Sequence, residues 1–152
     1  MKSCGYKAGF TLIEMLIVVA VIAILATMVV GLATRIDNQS KERALKCTFT
    51  LLDSALQEYY EYWNVFPDPN PTTPPLYPSP SAALYGQLYS TPTSRQILEK
   101  ISVKLLRDNP PQIYDLWGMV LEYRYVPGDN FPLLLSAGPD RTFGTGDDVT
   151  SR

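Results

Sequence analysis

The sequence predicts an α+β fold in which one long N-terminal helix, transmembrane in its first half, packs on a small antiparallel sheet. Three observations predict this fold. Residues 15–34 form a run of twenty residues without a charge. Residues 35–63 contain no proline or glycine and repeat apolar side chains at spacings of three and four. Residues 120–137 hold two β-prone runs separated by a Pro-Gly-Asp-Asn turn.

The first half of the helix has the length of a membrane span. At a rise of about 1.5 Å per residue, the uncharged run is about 30 Å long, which matches the hydrocarbon core of a bilayer. Two lysines precede it, and Glu14 lies just before it. Three interpretations compete: a signal peptide cleaved near residues 31–33, a plain membrane anchor, and a leader removed between Gly9 and Phe10. The run is longer than the apolar region of a signal peptide, and a plain anchor leaves Glu14 unexplained.

Residues 9–14, Gly-Phe-Thr-Leu-Ile-Glu, resemble the prepilin cleavage motif of type IV pilins and type II secretion pseudopilins. The resemblance implies a pilin-like fold, and it implies that a prepilin peptidase cuts between Gly9 and Phe10 and methylates the new amine. A carboxylate in hydrocarbon costs about 2.5–3.5 kcal/mol on insertion scales. We expect Glu14 of one subunit to meet the Phe10 amine of its neighbour in a filament, which would set the register of assembly. The alternative is that Glu14 lies at the interfacial edge of a membrane helix.

The second half of the helix, residues 35–63, is predicted to be amphipathic and to bury its apolar stripe against elements that follow it in the chain. Charged residues crowd its first part. The stripe comprises Leu45, Thr48, Leu52, Ala55, Leu56, Tyr59 and Trp63.

The middle of the chain is predicted to be irregular, with one short helix. Residues 67–80 contain seven prolines in fourteen positions, which excludes a regular helix or an internal strand and favours an extended surface loop. Residues 94–107 are predicted to form an amphipathic helix capped by Thr93 or Ser94. The Asn-Pro-Pro sequence that begins at Asn109 ends this pattern.

A β-hairpin follows, with strands predicted at residues 120–126 and 131–137. Just before it, the sequence Asp115-Leu116-Trp117-Gly118 is similar to the segment that introduces the sheet in major pseudopilins. We expect Trp117 to be a core or sheet-edge aromatic with no chemistry of its own.

The C-terminal segment, residues 136–149, is acidic and rich in glycine. Composition alone favours a solvated acidic tail. Oxygen-rich loops also suit Ca²⁺, although the spacing of an EF-hand is missing. The segment resembles the C-terminal calcium loop of major pseudopilins, which implies that Asp140, Asp147 and Asp148 bind calcium together with the carbonyl of Ala137.

Charge and composition exclude several classes of function. The net charge of −2 provides no basic surface for nucleic acid. The chain has no histidine, and it contains no nucleophile motif or phosphate-binding glycine loop, so we expect no enzymatic activity. Removal of the leader would leave Cys47 as the single cysteine, so no internal disulfide is expected.

The resemblance therefore implies a structural subunit of a type II secretion pseudopilus, which polymerises into a short periplasmic filament that drives protein export. The alternative is a type IV pilin of a surface fibre for adhesion or motility. The implied partners are further copies of the chain, other pseudopilins, the inner-membrane assembly platform, the prepilin peptidase and membrane lipid. The implied location is the bacterial inner membrane, with a single span and a periplasmic C-terminal domain. The predicted organisation is a leader at 1–9, a transmembrane and assembly helix at 10–34, an amphipathic helix at 35–63, a proline-rich loop with a short helix at 64–112, and a hairpin with an acidic loop at 113–152.

Overall fold

The computed structural model describes residues 11–71 and 77–152, except for the side chains of residues 28–34. The fold is α+β, with a long N-terminal helix and small antiparallel sheets, as predicted. The chain divides into two compact units between Asn38 and Gln39, and each unit is described by itself. The elements are α1 (Leu12–Trp63), α2 (Pro80–Ser90), α3 (Pro92–Leu98), a 3₁₀ turn (Val103–Leu105), β1 (Leu106–Arg107), β2 (Gln112–Ile113), β3 (Glu122–Arg124), β4 (Leu133–Ser136) and β5 (Val149–Thr150).

The first unit contains the start of α1, where the described side chains of residues 12–27 are exposed and, apart from Glu14 and Thr27, apolar. Leu12 is 85% exposed, and Ile22 is 59% exposed. We find no helix among the described residues that is long and apolar enough to cross a membrane. The predicted span at residues 10–34 includes Phe10 and the side chains of residues 28–34, which lie outside the described part of the chain.

The second unit is built around one stripe of α1. Leu45, Phe49, Leu52, Leu56 and Tyr59 are all buried. At about 2 kcal/mol for each apolar side chain, their burial contributes on the order of 10 kcal/mol before the entropy cost. That is comparable to the whole stability of a domain. The same core receives residues from α2, α3 and strands β2 to β5, among them Leu84, Leu88, Leu98, Ile113, Tyr123, Leu134 and Val149, and the partly buried Leu106 of β1 packs against it.

The predicted hairpin is confirmed, with shorter strands. β3 pairs antiparallel with β4, and Tyr123 lies opposite Leu134. β5, which the sequence analysis did not predict, pairs antiparallel with the other edge of β4 and places Val149 opposite Ser136. The long helix therefore shares one core with this sheet, as predicted.

The predicted helix at residues 94–107 is wrong in both bounds and length. α3 ends at Leu98, and the next turn closes through bonds from the Lys100 amide to the Ile97 carbonyl and from the Ile101 amide to the Leu98 carbonyl. Leu106 pairs instead with Ile113 in a two-stranded sheet. The apolar side chains at this spacing are still buried, but strand pairing with the segment that follows overrides helical propensity.

The cap expected at Thr93 or Ser94 is also wrong. Thr91 is the N-cap residue of α3, and it makes no side-chain capping bond. The buried Ser94 hydroxyl donates 2.9 Å to the carbonyl oxygen of Ala55 in α1. This bond fastens α3 to the long helix.

Helix α2 was not predicted, although the sequence contains its start signal. Ser79 is the N-cap residue and accepts a hydrogen bond of 3.2 Å from the Ala82 amide. Pro80 occupies the first helical position, where its missing N–H costs nothing. The Ser-Pro pair therefore marks the point at which the proline-rich segment becomes helical.

A buried carboxylate, Asp115, holds the segment before the hairpin against the sheet. It is 1% exposed. Its Oδ1 accepts hydrogen bonds from the amides of Trp117 (2.9 Å) and Met119 (2.8 Å). Its Oδ2 accepts a bond of 2.7 Å from the Ser136 hydroxyl in β4. Trp117 is itself buried, as expected.

We predict that Asp115→Ala lowers the free energy of unfolding of a 39–152 fragment by about 3 kcal/mol, because three donors lose their buried acceptor. Asp115→Asn should cost less, because its carbonyl oxygen still serves the two amides. Urea unfolding followed by circular dichroism measures both effects. Asp129→Ala removes an exposed turn carboxylate and is the matched control. Equal unfolding midpoints for Asp115→Ala and the control would contradict this role.

Candidate functional site

The N-terminal end of α1 forms a reciprocal cap between Thr11 and Glu14. The Thr11 hydroxyl accepts a hydrogen bond of 3.3 Å from the Glu14 amide. Glu14 Oε2 accepts bonds from the Thr11 amide (3.4 Å) and the Thr11 hydroxyl (3.5 Å). These contacts are a capping box with long distances.

The capping box gives Glu14 a local role that the sequence analysis missed. The missed signal is the Thr-x-x-Glu spacing immediately before an apolar run. A carboxylate is favourable at a helix N-terminus because it faces unsatisfied amides and the positive end of the helix dipole. Gly9 and Phe10 lie outside the described residues, so the pairing of Glu14 with the Phe10 amine stays a prediction.

The C-terminal acidic loop connects β4 to β5, and backbone amides satisfy much of its charge. Asp147 Oδ2 accepts a bond of 3.0 Å from the Asp140 amide, and Asp147 Oδ1 accepts one of 2.6 Å from the Thr145 hydroxyl. Asp140 Oδ1 accepts from the Thr142 amide at 2.8 Å. The loop is therefore folded on itself through its carboxylates.

These bonds lower the pKa of Asp147, first through the Thr145 hydroxyl and then through the Asp140 amide. A carboxyl with a depressed pKa stabilises the fold above the pKa it has in the unfolded chain. That contribution is lost as the pH falls through its folded value. The hydrogen bonds of the loop are therefore favoured at neutral pH and weakened in acid.

Two features bring Asp147 and Asp148 against the start of the loop. Gly138 has a φ of +66°, and a Cβ at this position would lie 2.1 Å from the Asp147 carbonyl oxygen. Asp148 Oδ2 accepts a bond of 2.8 Å from the Gly144 amide. Within the described residues, Asp148 Oδ1 is buried without a hydrogen-bond partner. That oxygen is a ready acceptor inside the loop.

The loop offers the type of donor atom that calcium binds, but these donor atoms are not arranged around one point. Carboxylate and carbonyl oxygens are the ligands that Ca²⁺ prefers, and the buried Asp148 Oδ1 supplies one. In the described part of the chain, however, no three ligating side chains are grouped closely enough to hold a metal ion. The structure links Asp140 to Asp147 through a backbone amide but does not gather Asp140, Asp147 and Asp148 at one point. Ala137 is buried directly after β4, and its role as a carbonyl ligand stays a prediction.

Two comparisons with known proteins gave matches to this chain. Residues 4–30 match the family model described as the prokaryotic N-terminal methylation motif. The chain is 31% identical to type II secretion system core protein G of Escherichia coli (strain K12), over 99% of this chain and 94% of that relative. No solved structure matches the chain.

The chain belongs to the family of type II secretion system core protein G. As a core protein G relative it is a pseudopilin, which is a structural protein and not an enzyme. The type IV pilin alternative is less well supported, because the match over the full length is to a type II secretion protein.

We predict that Gly138→Ala destabilises the C-terminal loop of this pseudopilin by about 2 kcal/mol or more, because the new methyl group meets a backbone carbonyl at a positive φ. Gly146→Ala is the matched control, since a Cβ at Gly146 meets nothing within 4 Å. Thermal unfolding of the 39–152 fragment measures the difference. Equal melting temperatures for the two variants would show that the approach of Gly138 to Asp147 is not a constraint.

Proposed function

We propose that the mature chain begins at a methylated Phe10, is anchored in the inner membrane by residues 10–34, and polymerises into a short periplasmic filament that drives protein export. The observation that supports this proposal is the combination of an N-terminal methylation motif with a relative matched over nearly the whole chain. Other pseudopilins, the assembly platform and the prepilin peptidase are the proposed partners. The filament would drive export by doing mechanical work as a polymer.

The exposed apolar surface of the first unit supports this function. Ile13 is 66% exposed and Val19 is 64% exposed, and the side chains between them are exposed and apolar apart from Glu14. Monomeric proteins rarely expose contiguous apolar surface on this scale to water. Lipid before assembly and neighbouring helices after assembly would both cover it.

Glu14→Leu tests the proposal at the step between membrane storage and assembly. We expect the variant to insert at least as well as wild type, because a costly charge is removed. Filament yield should fall by more than about tenfold, because the Phe10 amine loses its partner. Electron microscopy and sedimentation of sheared filaments measure the yield, and mass spectrometry establishes whether the subunit begins at methylated Phe10.

Glu58→Leu provides the matched control, because it removes a carboxylate from the same helix far from the N-terminus. The control should assemble normally. Normal filament yield from Glu14→Leu would refute the register role of Glu14. A mature N-terminus near Thr34, or an intact Met1, would refute the proposed processing.

We also propose that Asp140, Asp147 and Asp148, with the Ala137 carbonyl, bind one calcium ion that fixes the C-terminal loop to the sheet. The oxygen donors, the partnerless Asp148 Oδ1 and the attachment of the loop to β5 support it. The three carboxylates are not grouped in this structure, so binding requires the loop to rearrange. The ion would neutralise the negative charges of the three carboxylates, which would otherwise repel one another when the loop brings them together.

We expect a fragment of residues 35–152 to melt at a higher temperature with calcium than with chelator. A ligand that binds only the folded form stabilises it by about 2.7 kcal/mol at a hundredfold excess over Kd. Magnesium should substitute poorly because it demands a tighter octahedron. Asp140→Ala should abolish the calcium effect, whereas Asp129→Ala should retain it. Equal melting temperatures in calcium and in chelator would refute the proposed site.

A further inference from the structure

The start of the acidic loop is attached to the core through a chain of buried hydrogen bonds. The side chains of Ser136 and Asp115 are both buried. The Ser136 hydroxyl donates 2.7 Å to Asp115 Oδ2, and its oxygen accepts a bond of 3.2 Å from the Gly138 amide. The chain of bonds therefore runs from the segment before the hairpin, through the end of β4, to the first glycine of the loop.

Asp115 is fixed at the inner end of this chain of bonds. Its Oδ1 accepts the bonds from the Trp117 and Met119 amides, and its own amide donates 2.7 Å to the Met119 carbonyl. A hydrogen bond to an ionised acceptor is also about twice as strong as one between neutral groups. The Ser136 hydroxyl is therefore held in one direction, and its oxygen is left to accept the Gly138 amide.

The bond from Gly138 to Ser136 also sets the direction of a carbonyl. The Gly138 N–H and the Ala137 C=O belong to one planar trans peptide unit, in which they point in opposite directions. Because the N–H is directed at the Ser136 hydroxyl oxygen, the Ala137 carbonyl is directed away from it. Ala137 and Gly138 are both buried, so neighbouring groups restrict rotation of this unit. A side chain one residue away therefore orients the carbonyl of Ala137.

The carboxylates of the loop are held in a different way. Asp140, Asp147 and Asp148 each accept a bond from a backbone amide of the loop itself. Those bonds have to exchange when the three carboxylates converge on one ion. Among the four proposed ligands, the Ala137 carbonyl is therefore the one whose direction is set by the core.

The segment that Ser136 fixes lies next to the far end of the loop. Ser136 is paired with Val149 across β4 and β5, and Asp148 directly precedes Val149 in the chain. A Cβ at Gly138 would lie 3.3 Å from Asp147 Oδ2. The oriented carbonyl and two of the proposed carboxylate ligands therefore belong to the same part of the structure.

We propose that Ser136 and Asp115 are positioning residues for the calcium site. Asp115 holds the Ser136 hydroxyl, and Ser136 holds the peptide unit that presents the Ala137 carbonyl to the ion. Both residues act through that carbonyl. This inference rests on the proposed calcium site and adds to it the side chains that orient one ligand. Groups that orient metal ligands in this way typically contribute about 10- to 100-fold in affinity.

Isothermal titration of the full chain with calcium, in detergent micelles and well below the melting temperature, tests this role. Ser136→Ala should raise the Kd for calcium by about 10- to 100-fold, because the peptide unit between Ala137 and Gly138 is then free to turn. Ser94→Ala is the matched control, since it removes another buried hydroxyl that donates 2.9 Å to a backbone carbonyl, but in α3. The control should lower the melting temperature and keep the wild-type Kd.

Asp115→Asn gives a second measurement, which decides the question if Ser136→Ala does not fold. The side-chain oxygen of the asparagine can still accept the bonds from both amides. Its NH₂ group then faces Ser136, so the hydroxyl loses the acceptor that fixes its direction. The Kd should rise by about threefold or more, which is less than the change expected for Ser136→Ala.

The results separate the positioning role from the calcium site itself. A wild-type Kd for folded Ser136→Ala, or for Asp115→Asn where Ser136→Ala does not fold, overturns the positioning role while the proposed site stands. An equal loss of affinity in Ser94→Ala overturns it as well, because the effect would then follow from general destabilisation. Absence of calcium binding by the wild-type chain would overturn the proposed site and this inference together.

Discussion

Burial of one stripe of α1 is the constraint on which the second unit depends. The strands around it are two to four residues long, and such short strands are not stable in isolation. Each strand is stable here because it contributes a side chain to the core that contains Leu45, Phe49 and Leu52. The helix gains in turn, since most helical stability in proteins comes from packing of an apolar face. The opposite side of the helix is left exposed by the same division.

Where regular structure ends, buried side-chain hydrogen bonds hold the segments in place. The Trp63 indole donates 3.0 Å to the Thr91 hydroxyl, and this bond ties the end of α1 to the start of α3. The buried Tyr123 hydroxyl donates 2.8 Å to the Pro67 carbonyl, and burial raises the pKa of Tyr123 well above its ordinary value. Such bonds matter most where the backbone has no ladder partner, because an unpaired buried carbonyl is costly. They explain how a segment rich in proline joins a fixed core.

The sequence predicted the elements whose signal is local and periodic. The long helix ends at Trp63 as predicted, and Asn64 adopts a positive φ. The inclusion of Trp63 in the buried stripe was wrong, because burial stops at Tyr59 and Trp63 is 51% exposed. The hairpin was predicted from alternation and turn chemistry. β5 and the β1–β2 pair were missed, because two-residue strands have no periodicity and exist only through the strands with which they pair. Asp115 was noted only as part of a segment similar to that of major pseudopilins. Its role was not predicted, since nothing local reveals that a carboxylate will be buried against Ser136. The candidate site at Glu14 was predicted by motif, whereas the Thr11 cap required the capping-box spacing to be considered as well.

The magnitudes at Glu14 show how much a local cap supplies and how much the proposed pairing with a partner subunit would have to supply. A carboxylate in the membrane costs about 2.5–3.5 kcal/mol on insertion scales. An N-terminal cap contributes about 0.5–2 kcal/mol, and the distances of 3.3–3.5 Å between Thr11 and Glu14 place this cap at the weaker end. Thr11 therefore offsets part of the cost and leaves a remainder of about 2–3 kcal/mol. In the proposed membrane-stored subunit that remainder would persist, and the proposed pairing with a neighbouring Phe10 amine would remove it only on assembly. The same carboxylate that makes the lone helix unfavourable then favours the filament.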